Sequence, residues 1–314
     1  MVQCVLRSLT PEELGHCQIH EHIWVWPTPM SQKNPALAIC DYHRSLQELR
    51  RYRDAGGCTI VDAQPVGAGR DAQILRSLSL ESGVNIIACT GFHLLGFYPE
   101  GSWLHVLKEE ELYALYLSEL QEGMLPHSAD CTRRPAERTA IPAGMVKAAI
   151  PAQGAVGRYE TLLRAAARAA AAAGVPLMLH TEAGQQAAAA VRLCMECGMA
   201  ANQIIVCHVD RRVDNLPIHR ELAAMGVYLD YDTIGRFKYH TDEDELALLE
   251  AMAAWEGQIL LALDTTAARL GSYGGEISLC YILETFLPLL RSRGISEKIL
   301  CGFSRTNCRG LFQE

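Results

Sequence analysis

Long apolar runs, excess positive charge and linker-like stretches are all scarce in this chain of 314 residues, and each scarcity excludes a class of protein. No apolar run reaches the roughly eighteen residues that a membrane-spanning helix needs. Lys and Arg number 28 against 36 Asp and Glu, a formal net charge of -8. Nucleic acid and anionic membrane surfaces call for a basic field, so neither is expected as a partner. Residues 1–10 lack the basic stretch and apolar run of an export signal, which points to the cytosol. No Pro/Gly/Ser linker or composition shift divides the chain, so one domain over 1–314 is expected.

Disulfide logic is also missing. The 12 cysteines are scattered through apolar segments of a long chain, whereas a secreted scaffold would concentrate them in a short one. Reduced thiols are the expectation. Cys194 and Cys197 form a C-x-x-C on a helical stretch, but no second such pair or thioredoxin-like context accompanies it, so both are read as core packing.

What is present is a large apolar content, 49 % of residues, arranged as short β-branched runs alternating with longer amphipathic ones. Strands are expected at 17–23, 58–64, 85–92, 143–150, 176–182, 204–210, 227–232 and 258–264. Helices are expected at 43–55, 71–82, 158–173, 185–197, 243–255 and 279–291, several of them ending at glycine. Eight βα units close a barrel where five or six would leave an open sheet, so the fold class is α/β, a (β/α)8 TIM barrel. The connection over 93–142 is far longer than a usual βα loop and carries a further helix at 107–122. Long loops on the catalytic rim form lids or substrate walls.

The strand C-termini carry His20, His22, Lys147, His180, His208 and Asp264. Residues two apart on a strand share a face, so His20 and His22 form a chelating pair while Glu21 points away. A single histidine on an apolar strand is an ordinary core residue, but four at matching heights are hard to explain that way. Imidazole with carboxylate is a donor set for zinc and related divalent metals. Lys147, inside Gly144-Met145-Val146-Lys147-Ala148-Ala149-Ile150, is costly to bury unless paired or deprotonated. Such a lysine can take up CO2 as a carbamate, whose two oxygens bridge metals; an ion pair with Asp264 or Glu182 is the alternative.

The segments His20-Glu21-His22, Gly144-x-x-Lys147, His180-Thr181, His208-Val209-Asp210-Arg211, Asp264-Thr265 and Ser272-Tyr273-Gly274-Gly275 resemble, in order and spacing, the phosphotriesterase-related proteins of the amidohydrolase superfamily. The resemblance implies two divalent metals, zinc first, with manganese, cobalt or iron compatible with the same ligands. His20, His22 and Asp264 would hold the more buried ion, and His180 and His208 the more exposed one. Carboxylated Lys147 and a hydroxide would bridge them. Asp264 would then handle the proton as the hydroxide attacks, and Asp210 and Arg211 would orient the histidine on the sixth strand. The resemblance also implies a homodimer.

For substrate, the branch that hydrolyses phosphorylated lactones looks similar around Gly235-Arg236-Phe237-Lys238-Tyr239 and over 264–275. Arg236, Lys238, Arg269, Ser272 and Tyr273 follow strands seven and eight, where barrels place phosphate sites. The expected substrate is therefore a lactone or carboxylic ester bearing an anionic group. His93 stands where the acyl-homoserine lactonase branch carries tyrosine, with Tyr98 nearby, and both are candidate substrate contacts. An N-acyl amide hydrolase or organophosphate triesterase would use the same metals. A binding protein on an inactive barrel would have lost a ligand, and here every ligand position is filled. The closing segment carries Cys308 where the family has proline.

Overall fold

The computed structural model describes residues 1–313. Its eight parallel strands, hydrogen-bonded in sequence order, are β1 (Cys17–Glu21), β2 (Thr59–Asp62), β3 (Asn85–Gly91), β4 (Met145–Ala149), β5 (Leu177–His180), β6 (Ile204–Cys207), β7 (Tyr228–Tyr231) and β8 (Ile259–Leu261). The ladder stops at β1 and β8, but that seam is tied by other bonds. The Asp264 N–H donates to the His20 carbonyl at 3.1 Å. The Glu21 carboxylate accepts from the Leu263 and Thr265 N–H groups at 2.9 and 3.3 Å. Glu21 thus turns away from the interior and closes a barrel, the architecture expected from eight βα units.

Alternation along the strands sorts side chains into two apolar populations. Ile60, Ile86, Val146, Leu179, Val206 and Leu229 face outward into a layer shared with the helices. Val61, Ile87, Met145, Met178, Ile205 and Leu260 fill the lumen. Below them the chain's two ends close the floor, with Val2, Leu9 and Leu14 on one side and Cys308 and Leu311 on the other.

The outer ring is α1 (Tyr42–Asp54), α2 (Ala72–Ser82), α3 (Glu109–Gln121), α4 (Arg158–Ala173), α5 (Ala187–Glu196), α6 (Leu216–Ala224), α7 (Asp242–Ala251) and α8 (Leu287–Ser292). Asp41 and Asp71 cap α1 and α2 through their carboxylates, and α2 and α4 stop at left-handed Gly83 and Gly174. The alanine tract of α4 buries Ala165, Ala166, Ala169 and Ala170; small side chains let it lie close against α3. Helix α6 was not among the expected helices: it is short, and Pro217 in its first turn reads as a breaker although proline is tolerated there. The expected helix over 279–291 forms, with a π-turn at Ile282–Phe286 leading into α8. Pro288 has no N–H to give and crowds the preceding turn, which widens it. All 12 cysteines are free thiols, with Cys194 buried and Cys197 half-buried. Among the described residues no helix is long and apolar enough to cross a membrane.

Candidate metal centre and its cavity

β1 carries a register shift between Gln18 and Glu21. Cys17 and Ile19 face the lumen, Gln18 turns out to donate to the Leu279 carbonyl, and after the shift His20 and His22 face inward too. A bulge re-aims side chains in this way, so consecutive residues Ile19 and His20 share the interior. On β4, Lys147 stands two residues beyond lumen-filling Met145, and on β5 His180 stands two beyond Met178. His208 and Asp264 follow β6 and β8 with left-handed backbone, φ 66° and 46°. Each such residue costs about 1–3 kcal/mol and persists where the surroundings enforce it.

These six side chains converge. His20 Nε2 lies 3.0 Å from Lys147 Nζ and 3.8 Å from Asp264 Oδ1, and His22 Nε2 lies 3.4 Å from the same oxygen. His180 Nδ1 faces His208 Nε2 at 2.7 Å. Lys147 is 1 % exposed and among the described residues forms no ion pair; its other neighbour is Met178 Sδ at 3.1 Å. The ion pair with Asp264 or Glu182 is therefore absent. Backbone packing fixes the lysine's height: the Phe92 N–H donates to the Lys147 carbonyl at 2.9 Å, and Gly91, at φ 102°, lies so close to that carbonyl that a Cβ would collide with it.

Two carboxylates that sequence reasoning passed over orient the imidazoles. His20 Nδ1 donates to Asp230 Oδ2 at 2.9 Å, with Asp232 Oδ2 at 3.0 Å. His208 Nδ1 donates to Asp232 Oδ1 at 2.7 Å, and its backbone N–H donates to Asp232 Oδ2 at 3.0 Å. With Nδ1–H committed, Nε2 of both rings is left bare toward the cavity, the arrangement typical of metal-ligating histidines. Burial keeps these rings neutral: it pulls His20 down to about 4, aided by the Lys147 charge, and it lowers His180 and His208 as well. Burial by itself would raise Asp264, but the Arg236 guanidinium and a hydrogen bond from His22 hold its carboxyl well below the usual range.

The outcome is a buried cluster of imidazole nitrogens and carboxylate oxygens around the Lys147 amine. His180 Nδ1 and His208 Nε2 face one another at 2.7 Å, and one ligand atom each from His20, His22 and Asp264 falls within a 4.8 Å cluster. The donor set fits divalent cations with mixed nitrogen and oxygen preference.

A cavity of about 140 Å³ opens over this cluster. Val25, Leu37, Ile39, Leu94 and Phe97 make its apolar wall; Arg211 and Arg236 make its basic one. His93 lines it as well, stacked on Phe97 at 3.8 Å between ring centres, and so brings the start of the long 93–142 connection into the wall. Tyr98 stands behind, its hydroxyl accepting from the His93 N–H at 2.9 Å. Arg236 donates to Asp264 Oδ2 at 2.6 Å, while Arg211 comes within 3.7 Å of that oxygen and 3.5 Å of Glu182. Arg211 is thus a cavity residue as well as a neighbour of the ligands. Asp210 turns away from the cavity and accepts from the N–H and hydroxyl of Thr233.

The other basic and hydroxyl candidates are not brought to the cavity lining. Lys238 is exposed, its ammonium 4.6 Å from the Tyr239 ring centre. Arg269 is half-buried and donates to the carbonyls of Leu263, Ile234 and Asp264. The Ser272 N–H donates to Glu48, and the Tyr273 hydroxyl pairs with Ser45 and Asp41. These three pin the loop after β8 to the loop after β7 and to α1.

A family model described as the phosphotriesterase family matches residues 1–312. A protein named phospho-furanose lactonase from Mycoplasmopsis synoviae is 28 % identical over 311 residues, covering 94 % of this chain and 87 % of its own. One named N-acetyltaurine hydrolase from Salmo salar is 27 % identical, covering 94 % and 93 %. The crystal structure of an amidohydrolase from Mycoplasma synoviae superposes with a TM-score of 0.92 at 25 % identity, covering 99 % of this chain and 91 % of that one.

Proposed function

Because the chain belongs to the phosphotriesterase family, we propose that it is a binuclear-metal hydrolase that opens a lactone or cleaves a carboxylic ester bearing an anionic group, a phosphorylated sugar lactone foremost. The observation that carries the proposal is the convergence of imidazole nitrogens, Lys147 and Asp264 beneath a cavity whose polar side holds two guanidiniums. His20, His22, Lys147 as its CO2-derived carbamate, His180, His208 and Asp264 would hold two divalent cations, zinc or else manganese, cobalt or iron. Such a pair, when bound, supplies ionised water at neutral pH and an electrophilic partner for the carbonyl oxygen.

The chain's own side chains do the rest. Asp264, kept ionised beside Arg236, takes the proton of the attacking water and returns it to the alcohol oxygen that leaves as the ring opens. Arg211 and Arg236 hold the anionic group by charge-assisted hydrogen bonds. Lys238 adds positive charge at the exposed rim, and His93, fixed through Tyr98 and Phe97, bounds the substrate's apolar side. Arg269, Ser272 and Tyr273 hold the loops on which that cavity depends. A cytosolic location and a homodimeric state belong to the same proposal.

Acid release from paired phosphorylated and plain sugar lactones tests it, with the phosphorylated members expected to turn over faster. Equal rates on both would remove the anion-holding role of Arg211 and Arg236. The salmon relative's name supports one second reading, amide cleavage of an N-acyl compound with an anionic tail, which the same arginines would accept. Ninhydrin-reactive amine released from N-acyl taurine, with no turnover of lactones, would favour that reading.

A further inference from the structure

Beyond the cavity lining, three buried side chains meet between the turn after β6, the loop after β7 and the start of α7. Asp210 and Glu245 are fully buried and His240 is 7 % exposed. One ligand atom from each lies within 4.8 Å of the others. The acceptors among them outnumber the donors. Asp210 Oδ2 receives the N–H and the hydroxyl of Thr233, both at 2.6 Å, but among the described residues Asp210 Oδ1 has no partner. Neither carboxylate oxygen of Glu245 has a hydrogen-bond partner among them either. His240 Nδ1 donates to the Thr241 carbonyl at 3.1 Å, which leaves Nε2 turned inward, 3.3 Å from Glu245 Oε2 and 2.8 Å from the Thr233 hydroxyl. That hydroxyl has a single proton to share between Asp210 and His240.

Two buried carboxylates without a lysine or arginine partner are expensive to ionise, and a protonated His240 could balance only one of them. Buried oxygens that receive no donor from the protein are satisfied by a water, a proton or an ion. Oxygen, oxygen and imidazole nitrogen, with the other ring nitrogen anchored to a backbone carbonyl, is the pattern of a divalent metal site with its orienting shell.

We propose that Asp210, His240 and Glu245 bind a further divalent cation of the zinc and manganese class, separate from the ions at the barrel mouth. Its place is structural. It ties the turn carrying His208 and Arg211 to the loop carrying Arg236 and to α7, and so fixes both guanidiniums from behind.

The test is anomalous scattering from crystals of the full chain equilibrated with Mn²⁺. A peak within coordinating distance of Asp210, His240 and Glu245 is expected in addition to those at the mouth. Glu245→Gln should lose that peak and one equivalent of bound manganese by elemental analysis while keeping the others. Should that variant fail to fold, His240→Asn serves the same purpose. A loaded mouth with only water or no density at the cluster overturns the proposal. A peak at the cluster with none at the mouth would uphold it while removing the proposed hydrolase centre, so the two ideas fail separately.

Discussion

The two ends of this barrel are built on the same strands, and two residues separate them. At the N-terminal end Met145, Met178, Ile205 and Leu260 fill the lumen, sealed by Val2, Leu14 and Leu311. One step along the same inward face, Met145 gives way to Lys147, Met178 to His180 and Tyr228 to Asp230. The backbone changes character as well. Among the described residues the non-glycine positions with positive φ are Ala183, Gln186, His208 and Asp264, all beyond the C-terminal ends of strands. The closed end is apolar and relaxed, whereas the open end concentrates imidazole, carboxylate and strain. Stability is stored at one end and spent on geometry at the other.

The comparison breaks most visibly if a mouth residue proves structural. Asp264→Asn keeps the shape and suits a left-handed φ, since asparagine tolerates that region well. It removes the proton acceptor and the anionic metal ligand, so kcat/KM on the preferred lactone is expected to fall on the order of 10³-fold, with the thermal midpoint unchanged or raised. A midpoint that drops sharply would place Asp264 in the stabilising half. The reciprocal change is Ile205→Ala on the lumen floor, expected to cost about 2–5 kcal/mol in denaturant unfolding. The specific activity of its folded fraction should stay within about twofold, and a loss comparable to that of Asp264→Asn would dissolve the distinction between the ends.

How much of this division was legible follows from what kind of signal each feature leaves. All eight strands stand within a few residues of their expected positions, because a short apolar, β-branched run is a local pattern that tertiary packing reinforces. The inward pairing of His20 and His22 follows from the two-residue period of a strand, yet the bulge that lets Ile19 share their face leaves no such trace. Asp230 and Asp232 were legible and missed. They repeat the i, i+2 spacing of His20 and His22, and parity alone puts both beside the imidazoles they orient. Loop chemistry behaves differently. Arg236 and Arg269 look equivalent as basic residues after late strands, but the guanidinium of Arg269 is consumed by backbone carbonyls and that of Arg236 reaches Asp264. Composition cannot separate them, because the fate of a long side chain depends on which unpaired carbonyls the fold leaves within reach.

A smaller effect sharpens the mouth itself. Arg236→Gln removes one charged donor from the cavity wall, and a hydrogen bond to a charged group contributes about 1.5–3 kcal/mol. Preference for phosphorylated over plain lactones should fall roughly 10- to 100-fold, carried by KM on the anionic member. Because Arg236 also touches Asp264, kcat on the plain lactone is the internal control: a fall there equal to the fall on the anionic substrate would assign Arg236 to the proton acceptor and not to substrate recognition.

The effect that is smallest per step, read as a slope against pH, uses a histidine at the opposite end, where the same residue type serves packing. His16 precedes β1, its Nδ1 is 2.9 Å from the Tyr52 hydroxyl, and its Nε2 has no partner among the described residues. Burial, with the Arg305 charge a lesser cause, lowers it to about 3 from an unfolded value near 6.5. As pH falls below that unfolded value, the unfolded chain binds a proton that the folded one refuses, so folding stability declines through the window from about 6.5 toward 3. One such group contributes a slope of up to about 1.4 kcal/mol per pH unit. His16→Gln cannot take up that proton in either state, so its stability plotted against pH should be shallower than the parent's by about that slope, whatever its stability at neutral pH. Parallel curves would mean that His16 is protonated in the folded protein, and that the sealed end of the barrel admits charge as readily as the open one.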